Sequence, residues 1–152
     1  MTRVQTLIQQ LQLIPHPEGG WYRELHRSQN PVQRQDGVER PALTAILFLL
    51  PASAISCWHR VIGADEAWTH IDGATLELFQ CQANGTALQR DPLNASNPVQ
   101  VVPANAWQAA RSLGEYTLVS CCVGPGFDFL DFEMARQQPT TERLKLPHPE
   151  LI

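Results

Sequence analysis

Residues 57–73 read Cys57-Trp58-His59-Arg60-Val61-Ile62-Gly63-Ala64-Asp65-Glu66-Ala67-Trp68-Thr69-His70-Ile71-Asp72-Gly73. The stretch is two β-type runs joined by a turn at Ile62-Gly63-Ala64-Asp65. Side chains alternate across a strand, so Cys57, His59 and Val61 are expected on one face of the first run. Glu66, Trp68 and His70 are expected on one face of the second. If both faces line one barrel, a thiol, two imidazoles and a carboxylate meet beside an indole. Such a set binds metal or moves protons. Polar groups turned into a barrel need partners or a task.

The rest of the chain repeats this texture. Short apolar, β-rich runs cover 21–27, 42–50, 55–61, 75–82, 86–90, 99–102, 107–111 and 116–123. Pro51, Gly73, Asn84-Gly85, Pro103-Ala104-Asn105-Ala106 and Gly124-Pro125-Gly126 punctuate them. Roughly ten short strands at such spacing predict an all-β sandwich or barrel. Val4, Leu7, Ile8 and Leu11 predict one amphipathic helix over 3–12, ended by Pro15. Residues 28–40 read as a loop or loose hairpin, and 127–134 as an alternating strand. With no repeat and no linker, a single domain over 1–152 is expected, its core at 11–134 and an irregular tail at 135–152.

Composition narrows the function classes. The chain has 152 residues, 43% hydrophobic, with a net charge of −4. No basic run is present, so nucleic-acid binding by electrostatics is not expected. Lys145 is the only lysine among eleven basic residues, which argues against Schiff-base chemistry elsewhere. The longest apolar run, 42–51, is too short to span a bilayer. The N-terminal residues lack the apolar core of a signal peptide. Cys57, Cys81, Cys121 and Cys122 are not spaced as a zinc ribbon, and reduced thiols in the cytoplasm are the default expectation.

Further motifs carry a resemblance. Glu66, six residues, then Gly73 is similar to the second half of the first cupin motif. His59 stands where that motif has a histidine, and Cys57 where it has another. Pro103-Ala104-Asn105 with Gln108 resembles the second motif, with Asn105 in place of glycine and Gln108 in place of histidine. Asn tolerates the left-handed backbone that position requires. The set PHPEGG (15–20), His59-Arg60, Asp65-Glu66 with Trp68, VPANAW (102–107) and PGFDF (125–129) resembles one small subfamily, cupin family 5. The resemblance implies a double-stranded β-helix, or jelly roll, commonly a homodimer, similar in shape to dTDP-sugar epimerases and seed storage proteins. It implies no settled activity, because fold does not decide function.

Three functions follow as expectations. The leading one is a small polar ligand, sugar-like or carboxylated, bound in the barrel and isomerised or epimerised without metal. His59 would be the base, with Glu66 or His70 completing the relay. Cys57, Trp68, Gln108, Arg60 and Asp128 would contact the ligand, with Asp128 paired to Arg23 or Arg60. The second is an enzyme holding a divalent transition metal on His59, Glu66 and Gln108, with Cys57 or His70 as a fourth ligand. A neutral amide is a poor substitute for imidazole there, so a tight metal site is not expected. The third is a binding module without catalysis. His16 and Glu18 are read as stabilising their turn, or else as reaching a neighbouring subunit or capping the pocket.

Overall fold

Thr2 caps the first helix by accepting from the Gln5 amide, and Gln5 reciprocates to the Thr2 amide. A computed structural model describes all 152 residues. The helix α1 covers Arg3–Gln10, and the strands are β1 Ile14–Pro15, β2 Trp21–Arg27, β3 Pro31–Gln33, β4 Glu39–Pro41, β5 Thr44–Pro51, β6 Ile55–Val61, β7 Asp65–Gly73, β8 Leu76–Cys81, β9 Gln89–Leu93, β10 Val99–Val102, β11 Trp107–Ser112, β12 Tyr116–Gly124 and β13 Phe132–Met134. They build a jelly roll from a six-stranded sheet, β1-β2-β5-β12-β7-β10, and a five-stranded sheet, β13-β6-β11-β8-β9. All pairings are antiparallel.

Between the sheets, Phe48, Leu50, Trp68, Leu76, Leu78, Leu93 and Val119 fill one end of the barrel with apolar volume. Burial of such side chains is the main driving force for closure, roughly 1.5–3 kcal/mol each. The other end is left to the polar groups described below. Outside the six-stranded sheet, α1 packs Leu7 against Leu49 and Leu118. Outside the five-stranded sheet, the C-terminal residues cover Trp58 and Phe79 with Ala135, Leu146 and Leu151. Trp58 Nε1 donates to the Pro147 carbonyl at 2.9 Å. The tail carries a short helix, α2 (Thr140–Arg143), and 3-10 turns at Ala135–Gln137 and Pro149–Leu151.

Local expectations fail where turns reset the register. The Asn84-Gly85 turn does not lead straight into a strand: Ala87 takes φ 55°, and β9 begins only at Gln89. Residues 28–40 contribute the β3–β4 hairpin. Phe129–Asp131 is a 3-10 turn rather than part of a strand. The apolar β5 is interior, paired to β2 and β12, so it exposes no edge. Asn105 does adopt the left-handed backbone, φ 69°, and its side chain accepts from the Gly63 amide at 3.0 Å.

The PHPEGG turn is an irregular segment that reaches the interior. The Cys57 amide donates to the Glu18 carbonyl at 2.8 Å and seats the turn on β6. Gly19 has φ 108°, and a Cβ there would lie 2.0 Å from the Ile55 carbonyl oxygen. Both the left-handed backbone and the close approach demand glycine. Gly19→Ala is expected to cost about 2 kcal/mol in unfolding free energy, measured by urea titration. An unchanged midpoint would mean the turn is not seated as described.

Candidate functional site

A bulge in β6 decides which side chains enter the barrel. Against β11, His59 pairs with Gln108 and Ser56 pairs with Ala110, so three residues of β6 advance against two of β11. The extra residue breaks strict alternation. Ser56 and His59, at odd spacing, therefore serve the same group: both reach Glu18, Ser56 Oγ at 3.0 Å from Oε1 and His59 Nε2 at 3.1 Å from Oε2. Cys57 loses the place that alternation predicts; its carbonyl instead accepts from His59 Nδ1 at 2.7 Å.

A cavity of about 240 Å³ opens at this end of the barrel. Glu18, His59, Glu66 and Cys121 line it, each under 9% exposed. Tyr22, Phe127, Phe129 and Phe132 supply aromatic walls. Glu24 and Arg27 line it with side chains about two-fifths exposed, which places them at its rim. Arg27 donates to Glu24 Oε1 at 2.6 Å and to the Phe127 carbonyl at 2.9 Å.

The hydrogen bonds fix the protons. His59 Nδ1 faces a carbonyl, so it carries a hydrogen, and Nε2 of the neutral ring is an acceptor. Ser56 donates to Glu18 Oε1, leaving Oε2 to donate to His59 Nε2. Burial pushes the Glu18 carboxyl up to about 8, with the Ser56 hydroxyl opposing, and burial lowers His59. The Glu18–His59 contact is therefore a neutral hydrogen bond at pH 7 rather than an ion pair. His59 as a free base, the sequence expectation, fails on this point: its lone pair is already occupied.

Glu66 is held differently. Trp68 Nε1 can only donate, and it donates to Gln108 Oε1 at 2.8 Å. The Gln108 amide is thereby turned so that its NH2 donates to Glu66 Oε2 at 2.6 Å. Glu66 Oε1 receives no N–H or O–H donor of the chain and borders the cavity, with the Cys121 thiol beside the carboxyl. Burial raises Glu66 to about 7, against the pull of neighbouring His59. A carboxyl poised there exchanges protons readily near neutrality.

The residues singled out from the sequence divide sharply. His59 and Glu66 meet in the cavity, and Gln108 orients Glu66 from behind. Trp68 is fully buried in the apolar end and does not line the cavity. His70 shares the inward face of β7 but lies four residues further on, roughly 13 Å at ~3.3 Å per residue, and its Nε2 lies 3.3 Å from the Ala74 carbonyl. Arg60 is on the outer face, paired to Glu133 at 2.6 Å and stacked on Trp107 at 4.6 Å. Asp128 meets neither Arg23 nor Arg60; it caps a 3-10 turn by accepting from the Leu130 amide at 2.8 Å. The buried carboxylates held by cations are Asp131, with Arg34 at 2.9 Å and Arg40 at 2.8 Å, and Glu77, with Arg90 and Arg111. Glu18 and His16 are the residues underweighted from sequence. Their signal was a charged residue inside a rigid Pro/Gly turn, where glycine marks close backbone approach.

The second reading put a metal on His59, Glu66 and Gln108. These residues do not fit one. The Gln108 oxygen that would ligate is committed to Trp68, and its NH2 faces Glu66. His59 Nε2 is committed to Glu18.

Residues 5–135 match the family model described as Cupin superfamily (DUF985). A hypothetical protein from Leishmania major is similar at 33% identity and TM-score 0.79, with 85% of each chain covered. A Shewanella oneidensis protein of known X-ray structure is similar at 29% identity and TM-score 0.79, covering 98% of this chain and 99% of that one. The capsular polysaccharide assembling protein CapF from Staphylococcus aureus shares the fold at 11% identity and TM-score 0.62, covering 80% of this chain and 31% of its own. A comparison with curated proteins returns no match. With the jelly roll, the motif residues and a family match over most of its length, this chain belongs to the cupin superfamily, in the family designated DUF985.

Proposed function

We propose that the protein binds one small polar molecule in this cavity and moves protons on it, as an isomerase or epimerase does. The observation that carries the reading is the pairing of two buried carboxyls in different surroundings. Glu66, raised to about 7 with Oε1 facing the cavity, is the base. Glu18, raised to about 8 and bonded to His59, is the proton donor. The two carboxyls differ in what they touch, Glu18 held by Ser56 and His59 and Glu66 by Gln108, and a pair in different surroundings lets one site supply both acid and base.

The cavity limits the ligand. At about 240 Å³ it lies below the ~300–1,000 Å³ of drug-sized pockets, which suits a single small molecule rather than an oligomer. Arg27 at the rim offers a guanidinium to a carboxylate or a hydroxyl, in competition with Glu24. The likeness in fold to a capsular polysaccharide assembling protein supports a sugar-like ligand.

The test is solvent exchange. The protein is incubated in D2O with free monosaccharides and small hydroxy acids, and carbon-bound deuterium is followed by NMR. Wild type is expected to incorporate deuterium into one class of compound. Glu66→Gln is expected to slow this by about 10²–10⁴-fold. Incorporation unaffected by Glu66→Gln would remove Glu66 as the base.

A further inference from the structure

His16 is not used by the mechanism above, yet it lines the same cavity. Its ring is pinned on one side only. Nδ1 accepts from the Glu18 amide at 3.2 Å, inside the PHPEGG turn, and sits 3.5 Å from Glu18 Oε2. An Nδ1 that accepts from a backbone N–H has no hydrogen of its own, so in the neutral ring the hydrogen is on Nε2. The side chain is only 6% exposed. Nε2 makes no hydrogen bond within the chain, and the only sealed, unpartnered buried side-chain atom is Arg143 Nε. Nε2–H therefore opens onto the cavity as a donor without an acceptor. Its other neighbours are rings: Tyr22 edge-on at 4.6 Å, with Phe48 and Phe132 at 5.9 Å.

We propose that His16 Nε2–H is the hydrogen-bond donor to a carbonyl oxygen of the ligand, which makes the substrate class small carbonyl compounds that react through an enolate. The inference rests on the proton-transfer reading above and adds what that reading lacks. Glu66 Oε1 takes a proton from the carbon beside the carbonyl. The C–H pair becomes the new C=C bond, and the C=O π pair moves onto oxygen. His16 donates a hydrogen bond to that oxyanion and keeps its own proton. The Glu18 carboxyl, giving up its hydrogen bond to His59 Nε2, returns its proton to the same carbon on the other face; the C=C pair forms the new C–H bond and the oxygen pair re-forms the C=O. The proton held on Glu66 then passes back to Glu18 through solvent, so nothing is consumed.

A neutral imidazole suits this task because it cannot be titrated away near pH 7. Burial, reinforced by nearby His59, lowers His16 to about 3. A fixed donor aimed at developing negative charge contributes more than one that must reorient. A glutamine would also donate from near the Nε2 position, but without the rigid Nδ1 anchor.

The experiment compares wild type, His16→Phe, His16→Gln and His59→Ala, using dihydroxyacetone as the carbonyl probe in D2O and acetohydroxamate as a planar enolate mimic. Imidazole 15N–1H spectra of wild type are expected to show the Nε2–H tautomer of His16 throughout pH 5–9, with that proton shifting when acetohydroxamate is added. Deuterium exchange into dihydroxyacetone is expected to fall about 10²–10³-fold in His16→Phe, with an unchanged pH profile, and less in His16→Gln. A His16 proton on Nδ1, titration between pH 5 and 8, or no response to acetohydroxamate would overturn the inference, and these readouts need no variant to fold. Exchange lost in His59→Ala but kept in His16→Phe would overturn it while leaving the proton-transfer reading intact. A shifted His16 Nε2–H in a wild type that exchanges no proton of dihydroxyacetone would keep the donor and overturn both the enolate and the proton transfer.

Discussion

Gln108→Leu is expected to lower the unfolding free energy by about 3–5 kcal/mol, although leucine has a similar volume and the site is apolar on one side. Gln108 is 1% exposed and joins the fully buried Trp68 indole to the nearly buried Glu66 carboxyl. Trp68 Nε1–H, fully buried, loses its acceptor; Glu66 Oε2 loses its donor. Each orphaned buried polar group costs about 1–3 kcal/mol, and the two losses are simultaneous. The Gln108 hydrogen bond also lowers Glu66, so its removal pushes the carboxyl further up from about 7. The activity profile should therefore shift to higher pH as stability falls. Trp68→Phe removes the donor without opening a large cavity, and leaves Gln108 free to rotate. The pair should consequently be coupled: the double variant is expected to be less destabilised than the two single losses added together, by about 1–2 kcal/mol. Equilibrium denaturation of the four proteins measures this. Additive losses, or a Gln108→Leu protein within about 1 kcal/mol of wild type, would show that the Trp68–Gln108–Glu66 chain is not the support of the site.

That chain also shows what a sequence can and cannot yield. The fold was legible because alternation and turn chemistry are local: Thr44–Pro51, Tyr116–Gly124 and the Asn105 turn announce themselves within ten residues. His59 and Glu66 were legible too, since each lies on a strand whose inward face is set by its neighbours. Cys57 was misplaced because a bulge is a property of two strands together; nothing in residues 55–61 alone says that β11 advances two residues for their three. Gln108 could be placed near the site but not given its role, because its orientation is dictated by an indole from another strand. The need to pair charges points to Arg60 and Asp128, a correct principle whose actual instances are Asp131 with Arg34 and Arg40, and Glu77 with Arg90 and Arg111. Glu18 was hidden in a loop. Strand periodicity assigns no face to a turn residue, so only the density of Pro and Gly around it hinted at a constrained approach to the barrel.

Glu18→Gln is expected to lie within about 1 kcal/mol of wild type in stability near pH 5 and to exceed it by about 4 kcal/mol near pH 8. Glutamine copies the protonated acid: its NH2 can donate to His59 Nε2 and its oxygen can accept from Ser56, as Glu18 does now. The ordinary carboxyl value is 4.5, and burial holds Glu18 at about 8 in the folded chain. Below 4.5 both folded and unfolded chains carry the proton, and the stabilising contribution is fully present. Between 4.5 and about 8 the unfolded chain ionises while the folded chain stays protonated. The folded state then binds more protons, so stability falls as pH rises, with a slope approaching ~1.4 kcal/mol per pH unit. Glutamine has no such term. Buried His16 works in the opposite direction, losing stability as pH falls below 6.5, but it is present in both proteins and cancels from the difference. Removing the Glu18 charge also relieves Glu66, which shifts the difference the same way. Urea titrations of both proteins from pH 5 to 9 provide the measurement. Parallel stability curves would mean that Glu18 is ionised at neutral pH, and with it would go the assignment of Glu18 as the proton donor of the cavity.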